Sequence, residues 1–224
     1  MAVTWYMYSF KRIINALLKR LPVSYYPYKP FMHKYNCIFI HIPKNAGSSV
    51  LAACNDNNGR KHAKWYDFLE ANEYFYKRYY KFSIVREPLT RLFSAYKYAL
   101  KGGNNSYSDQ ALSLYIKERC SCFSSFIDNV LCADFVMQQP LFTPQYLYIF
   151  NRQLQCEADS IIYYESLATD WQRVTSELGC LVELPWKNAS NGHSMPVLPP
   201  HTLKKVSDIY CFDYKLLNYD DICV

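Results

Sequence analysis

The chain has 224 residues, half of them hydrophobic, with 22 tyrosines and a formal charge of +6. That length and apolar fraction suit one large domain with a substantial core and exclude a disordered chain. The modest positive charge fits a handler of anionic ligands. With no basic run of five or more residues and no nucleic-acid motif, nucleic acid is not an expected partner.

From the N-terminus, "SFKRIINALLKRL" (9–21) spaces Phe10, Ile13, Ile14, Leu17, Leu18 and Leu21 on one helical face. Lys11, Arg12, Lys19 and Arg20 lie mostly on the other face. The segment is either a helix packed on the domain or one that contacts a membrane surface or a partner. Charges interrupt its apolar run, unlike a secretory signal, and no stretch approaches the ~20 apolar residues of a membrane span. Residues 22–35, rich in Pro and Tyr, read as an irregular connector. The expected division is therefore 1–35, helix and connector, and 36–224, the main domain.

Residues 36–42 form a continuous apolar strand, as when both faces are covered. Pro43, Lys44, Asn45, Ala46, Gly47, Ser48 and Ser49 follow, and a helix is expected to start near Ser48. "YKFSIV" (80–85) is a second buried strand, ending at Arg86-Glu87-Pro88. The next helix shows a core face of Leu89, Leu92, Phe93, Tyr96 and Leu100. Residues 109–131 read as two helical pieces and 132–144 as irregular. "SIIYYE" (160–165) is a third strand, 166–178 a helix, and the tail from His201 helical. Strands alternating with helices argue for an α/β fold with a central parallel sheet flanked by helices.

Nine cysteines, an odd number with no C-x-x-C pair, read as buried free thiols in a reducing compartment. No Cys/His spacing matches a metal site, so none is expected.

Strand, glycine-containing loop and helix together make an anion site. Yet the Walker pattern G-x-x-x-x-G-K-[ST] places its lysine after the last glycine. Here Lys44 precedes the single Gly47. Arg86, at a strand end, could fork onto a phosphate or pair with a neighbouring acid.

"FIHIPKNAGSS" and "FSIVREPLTRLFSAY" together resemble the two nucleotide-binding motifs of sulfotransferases that use 3′-phosphoadenosine 5′-phosphosulfate (PAPS). The carbohydrate sulfotransferases, heparan- and chondroitin-type with their bacterial relatives, are the most similar branch. "FTPQYLYI", "IIYYESL", "LPWKNAS" and "FDYKLLNY" follow in family order, so the resemblance runs from about 36 to 219.

The resemblance implies a three-layer fold like that of the P-loop kinases. It also implies a PAPS donor with PAP as product, no metal, and a glycan acceptor as in polysaccharide biosynthesis. Lys44 would reach the bridging oxygen between phosphate and sulfate, and Asn45, Ala46, Gly47, Ser48 and Ser49 would line the loop. Arg86 and Ser94 would bind the 3′-phosphate. His62, in "KHAKWYDFLE", matches the catalytic base of hexuronic 2-O-sulfotransferases and bacterial relatives. Glu70, Glu73 and His193 are the alternatives. His41, inside the strand, reads as a core histidine, and Glu165 as structural or acceptor-facing.

Two departures from the family pattern are Glu87, where Asp, Asn or His is commoner, and Asn45. An ATP-dependent kinase and a non-catalytic nucleotide-binding module remain as alternatives. The first lacks G-K-[ST] and a clear Mg²⁺ acid. The second leaves the candidate base without a use. A bacterial-type cytoplasmic enzyme, peripheral at the membrane through residues 9–21, is the expected setting.

Overall fold

A computed structural model describes residues 17–23, 25–56, 59, 62–179, 183–185 and 194–222. Residues 1–16, most of the expected N-terminal helix, lie outside these, and so do His193 and most of "LPWKNAS". Of that helix's apolar face, Leu17, Leu18 and Leu21 are described and are exposed.

The elements in chain order are α1 (Pro30–Lys34), β1 (Cys37–Ile40), α2 (Gly47–Ala53), α3 (Trp65–Ala71), α4 (Glu73–Tyr76), β2 (Tyr80–Val85) and α5 (Pro88–Leu100). Then come α6 (Tyr107–Arg119), α7 (Phe123–Asn129), α8 (Ala133–Gln138), α9 (Tyr146–Ile149), β3 (Ser160–Tyr163) and α10 (Leu167–Glu177). The tail carries α11 (Pro200–Ile209) and α12 (Cys211–Leu216).

The strands form one parallel sheet in the order β1-β2-β3. Every residue of β1 is buried, so helices cover both faces of the sheet. Phe39 stacks on Phe82 across the β1–β2 pair, with centroids 5.1 Å apart, and Trp171 of α10 packs edge-on against Phe82. This is the expected α/β architecture with a central parallel sheet. Because all three strands run the same way, the segments after Ile40, Val85 and Tyr163 leave the sheet at one edge. That carboxyl edge is where open parallel sheets place their ligands.

A second apolar cluster joins α5, α6, α7 and α11 around Phe126, Phe142, Val206 and Tyr210. Fully buried Arg91 lies among them and donates to Thr143 O at 2.9 Å.

Several boundaries differ from the sequence reading, among them that of β3, which stops at Tyr163 and not at Glu165. The connector 22–35 contains α1, opened by Pro30, whose fixed φ suits a first turn; it buries Phe31 and Met32. Residues 132–144 contain α8, which buries only Val136. Both helices are too short to show a periodicity and are held by tertiary contacts. β1 stops at Ile40, so His41 is a loop residue rather than a strand residue, although it is buried. The thiol expectation also needs correction. Of the seven described cysteines, Cys122, Cys132, Cys156 and Cys211 are exposed, not buried.

Candidate active site

The loop after β1 turns sharply. Lys44 and Ala46 take left-handed φ values of 71° and 57°, at about 1 kcal/mol or more each for a residue with a Cβ. Strain of this kind is kept where the surrounding structure over-determines it. Ala46 in this conformation, followed by helical Gly47, turns successive N–H groups to one side. Among the described residues, the N–H groups of Asn45, Ala46, Gly47 and Ser48 have no main-chain acceptor. Ser49 N donates to Ala46 O at 2.8 Å, and its side chain is buried.

Gly47 is required by space, not by its φ. A Cβ there would stand 1.8 Å from His41 Nε2. The His41 ring thus lies against the Gly47 backbone, and its other neighbours include Phe39, stacked at 5.3 Å, and His62, with centroids 4.4 Å apart.

His62 is half-buried, and its Nδ1 is 3.0 Å from His41 O. A carbonyl only accepts, so Nδ1 carries the proton and Nε2 is the basic nitrogen of the neutral ring. His62 therefore stands next to the Gly47 loop with its tautomer set.

Of the alternative bases, Glu73 and Glu70 are among the described residues and His193 is not. Glu73 is exposed on α4 and pairs with Lys77, on the segment that leads into the start of β2, the far end of that strand from Arg86. Glu70 is exposed on α3.

Arg86 follows β2. Its Nε donates to Thr90 Oγ1 at 3.2 Å, and its guanidinium lies 4.3 Å over the Tyr164 ring, just past β3. Burial pushes its pKa below the ordinary arginine value, while Tyr164, Glu165 and Glu87 oppose that shift. Among the described residues Arg86 makes no ion pair, and its terminal nitrogens have no hydrogen-bond partner.

Helix α5 links this arginine to the lysine. Thr90, Ser94 and Tyr98 repeat every four residues and share one face, about 6 Å apart per step. Thr90 meets Arg86 at one end. At the other, the Lys44 ammonium stands 4.0 Å over the Tyr98 ring. Ser94 lies between. A lysine, a hydroxyl and an arginine thus form a row too long for a single phosphate, which fits a ligand carrying two separated anionic groups.

The Asn45 side chain does not line this row. It is 1 % exposed and turned inward, donating to Ile84 O at 2.8 Å and to Gln145 Oε1 at 2.7 Å. Glu87 caps α5, accepting from Leu89 N and Thr90 N, which is how this departure from the family pattern is accommodated. Glu165 accepts from Glu87 N at 2.9 Å and from Tyr219 OH at 3.0 Å, so its role is structural. Tyr214 OH donates to Glu87.

Sequence reasoning assigned no role to Thr90, Tyr98, Tyr164, Gln145 or Asp213. Thr90 was detectable as the residue one helical turn after Arg86. Gln145, a polar residue inside the apolar "FTPQYLYI", was a visible anomaly.

A family model described as "Sulfotransferase family" matches residues 30–220. The chain belongs to the sulfotransferase family. The match begins at α1 and takes in every helix and strand named above, with Lys44, Arg86 and Ser94. No curated protein and no solved structure gives a match. The chemistry of this family is sulfuryl transfer, and the mixed α/β parallel-sheet fold agrees with it. Among the described residues, no group of three His, Cys, Asp or Glu side chains could hold a metal ion, and no helix is long and apolar enough to cross a membrane.

Proposed function

We propose that this sulfotransferase moves a sulfuryl group from PAPS to a hydroxyl of a carbohydrate, with His62 as general base. The observation that carries the reading is the row along α5. Arg86 is a half-buried cation with no acid paired to it among the described residues, next to Thr90, which is one turn from Ser94. A phosphate there would take two parallel charge-assisted bonds from the guanidinium. Lys44, two helical steps away at Tyr98, then serves the other end of the donor.

In the reaction the acceptor oxygen forms a bond to sulfur as the bond from sulfur to the phosphate oxygen breaks. His62 Nε2 takes the acceptor's proton, while Nδ1–H stays on His41 O and holds the ring. Lys44 and the loop N–H groups face the phosphate oxygen on which charge develops, a contact that strengthens in the transition state. PAP leaves with the electron pair of the broken bond.

A glycan acceptor suits the branch the motifs resemble, and a cytoplasmic enzyme of surface-glycan synthesis remains part of the proposal. Transfer of labelled sulfate from PAPS across a panel of glycans tests it. Labelled product from at least one glycan, abolished in His62→Ala, is expected. Transfer of phosphate from ATP instead would overturn it.

A further inference from the structure

Gln145 is fully buried, beneath the site rather than in it. Its Oε1 accepts from Asn45 Nδ2 at 2.7 Å and from Arg86 N at 3.0 Å. Its Nε2 donates to Arg86 O at 2.7 Å. Arg86 N can only donate and Arg86 O only accept, so the amide has one orientation. Asn45 in turn donates to Ile84 O. The backbone of Gln145 is held from the opposite side, since Gln145 N and Tyr146 N donate to the two carboxylate oxygens of Asp213, each at 2.8 Å. Burial pushes the Asp213 pKa up, against Arg91 and these two N–H groups, which favour the charged form.

The sheet cannot do this job. The β1–β2 register ends at Ile40 and Ser83, and beyond Ile40 the loop leaves the ladder. Asn45, between the two left-handed residues Lys44 and Ala46, is where that loop is fastened again. Both its fastenings are on the Arg86 side, at Ile84 and Gln145.

We infer that Gln145 is a positioning residue that locks the Lys44 loop to the Arg86 segment, so that the two ends of the donor site are held in one geometry. The inference rests on the donor reading above. Each contact at the ligand's two ends then depends on a side chain that touches no ligand. Loss of the lock frees one end relative to the other and costs both donor affinity and the alignment of the chemical step.

The test is calorimetric titration with PAP and AMP of the wild type, Gln145→Leu, Asn45→Ala, their double variant and Ile127→Ala. All are measured below the onset of their thermal melts. Ile127→Ala, a buried change in the second cluster, controls for a general loss of stability and should keep the wild-type PAP affinity. Gln145→Leu should weaken PAP about tenfold, as loss of one net hydrogen bond's worth of organisation would. It should also shrink the PAP-over-AMP preference. The double variant should be no worse than the worse single variant, because both break the same link. Wild-type PAP affinity in folded Gln145→Leu, or fully additive losses in the double variant, would overturn the inference. If Gln145→Leu does not fold, Asn45→Ala decides alone, and wild-type affinity there overturns it. A wild type that does not prefer PAP over AMP would instead sink the donor reading.

Discussion

The proton on His62 Nδ1 follows from the contact with His41 O, and it gives the side chain a role that mutation can isolate. His62→Ala should lower turnover by ~10²-fold or more and leave PAP binding nearly unchanged, as removal of a general base does. Single-turnover kinetics with a titration of PAP reads both quantities. Near-normal turnover would move the base to another group. Lys44→Ala should slow the chemical step more than it weakens PAP, because charge builds on the bridging oxygen only as the bond breaks. Equal losses would make Lys44 a plain anchor. Gly47 tests a packing claim. Gly47→Ala pushes a methyl into the His41 ring and should cost about 1–3 kcal/mol as overpacking. Gly47→Ala with His41→Ala should recover part of the loss in thermal melts. Two independent, additive penalties would show that the clash is absent.

Helix α5 is the element that turns separate motifs into a site. Its cap, Glu87, starts it beside Arg86, and its four-residue spacing carries Thr90, Ser94 and Tyr98 towards Lys44. Arg86→Ala should erase most of the discrimination between PAP and AMP while changing AMP affinity little. The effect should approach 1.5–3 kcal/mol, roughly one charge-assisted bond. Isothermal titration of the four protein–ligand pairs supplies the cycle, and an undiminished PAP preference in the variant would place the 3′-phosphate elsewhere. The three strands, the loop and the α5 face were legible because each is a contiguous run with a clear pattern, although β1 and β3 end two residues earlier than the apolar runs suggest. Short α1 and α8 were not, because their order comes from burying one or two side chains far along the chain. Nor was the fastening of Asn45 legible. Its partners, Ile84 and Gln145, are brought to it by the sheet and by Asp213, and no local pattern encodes either meeting.

Across the whole molecule, the parallel sheet places the segments after β1, β2 and β3 at one edge, and the C-terminal tail closes over that edge. Tyr214 binds Glu87 and Tyr219 binds Glu165, so the segment around α12 clamps the ends of β2 and β3. Burial, reinforced by those carboxylates, pushes both phenols above the ordinary value of 10.0. Burial does the same to Tyr210, and takes Tyr148 up to about 12. A phenol whose folded pKa is raised keeps its proton in the native state after the unfolded chain has lost it. Its contribution to stability is complete below about pH 10 and is lost as pH rises towards the folded value. For fully buried Tyr210 the slope is roughly 1.4 kcal/mol per pH unit above that point. Melting temperatures should therefore hold up to about pH 9.5 and then fall steeply, and the tyrosinate absorbance of these phenols should rise only as the chain unfolds. A rise in tyrosinate signal before unfolding larger than exposed tyrosines such as Tyr107 supply would show these phenols to be open to solvent.

The central claim is that the row from Lys44 to Arg86 holds a donor with two anionic ends, one of them a 3′-phosphate. Calorimetry of the wild-type protein with PAP, AMP and ATP, without added metal, tests it most directly and needs no knowledge of the acceptor. PAP should bind about tenfold or more tighter than AMP, because one charge-assisted contact at Arg86 is worth 1.5 kcal/mol or more, and ATP should gain nothing comparable from its extra phosphates. Binding of AMP or ATP as tight as that of PAP would contradict the donor assignment, and the proposed chemistry would fall with it.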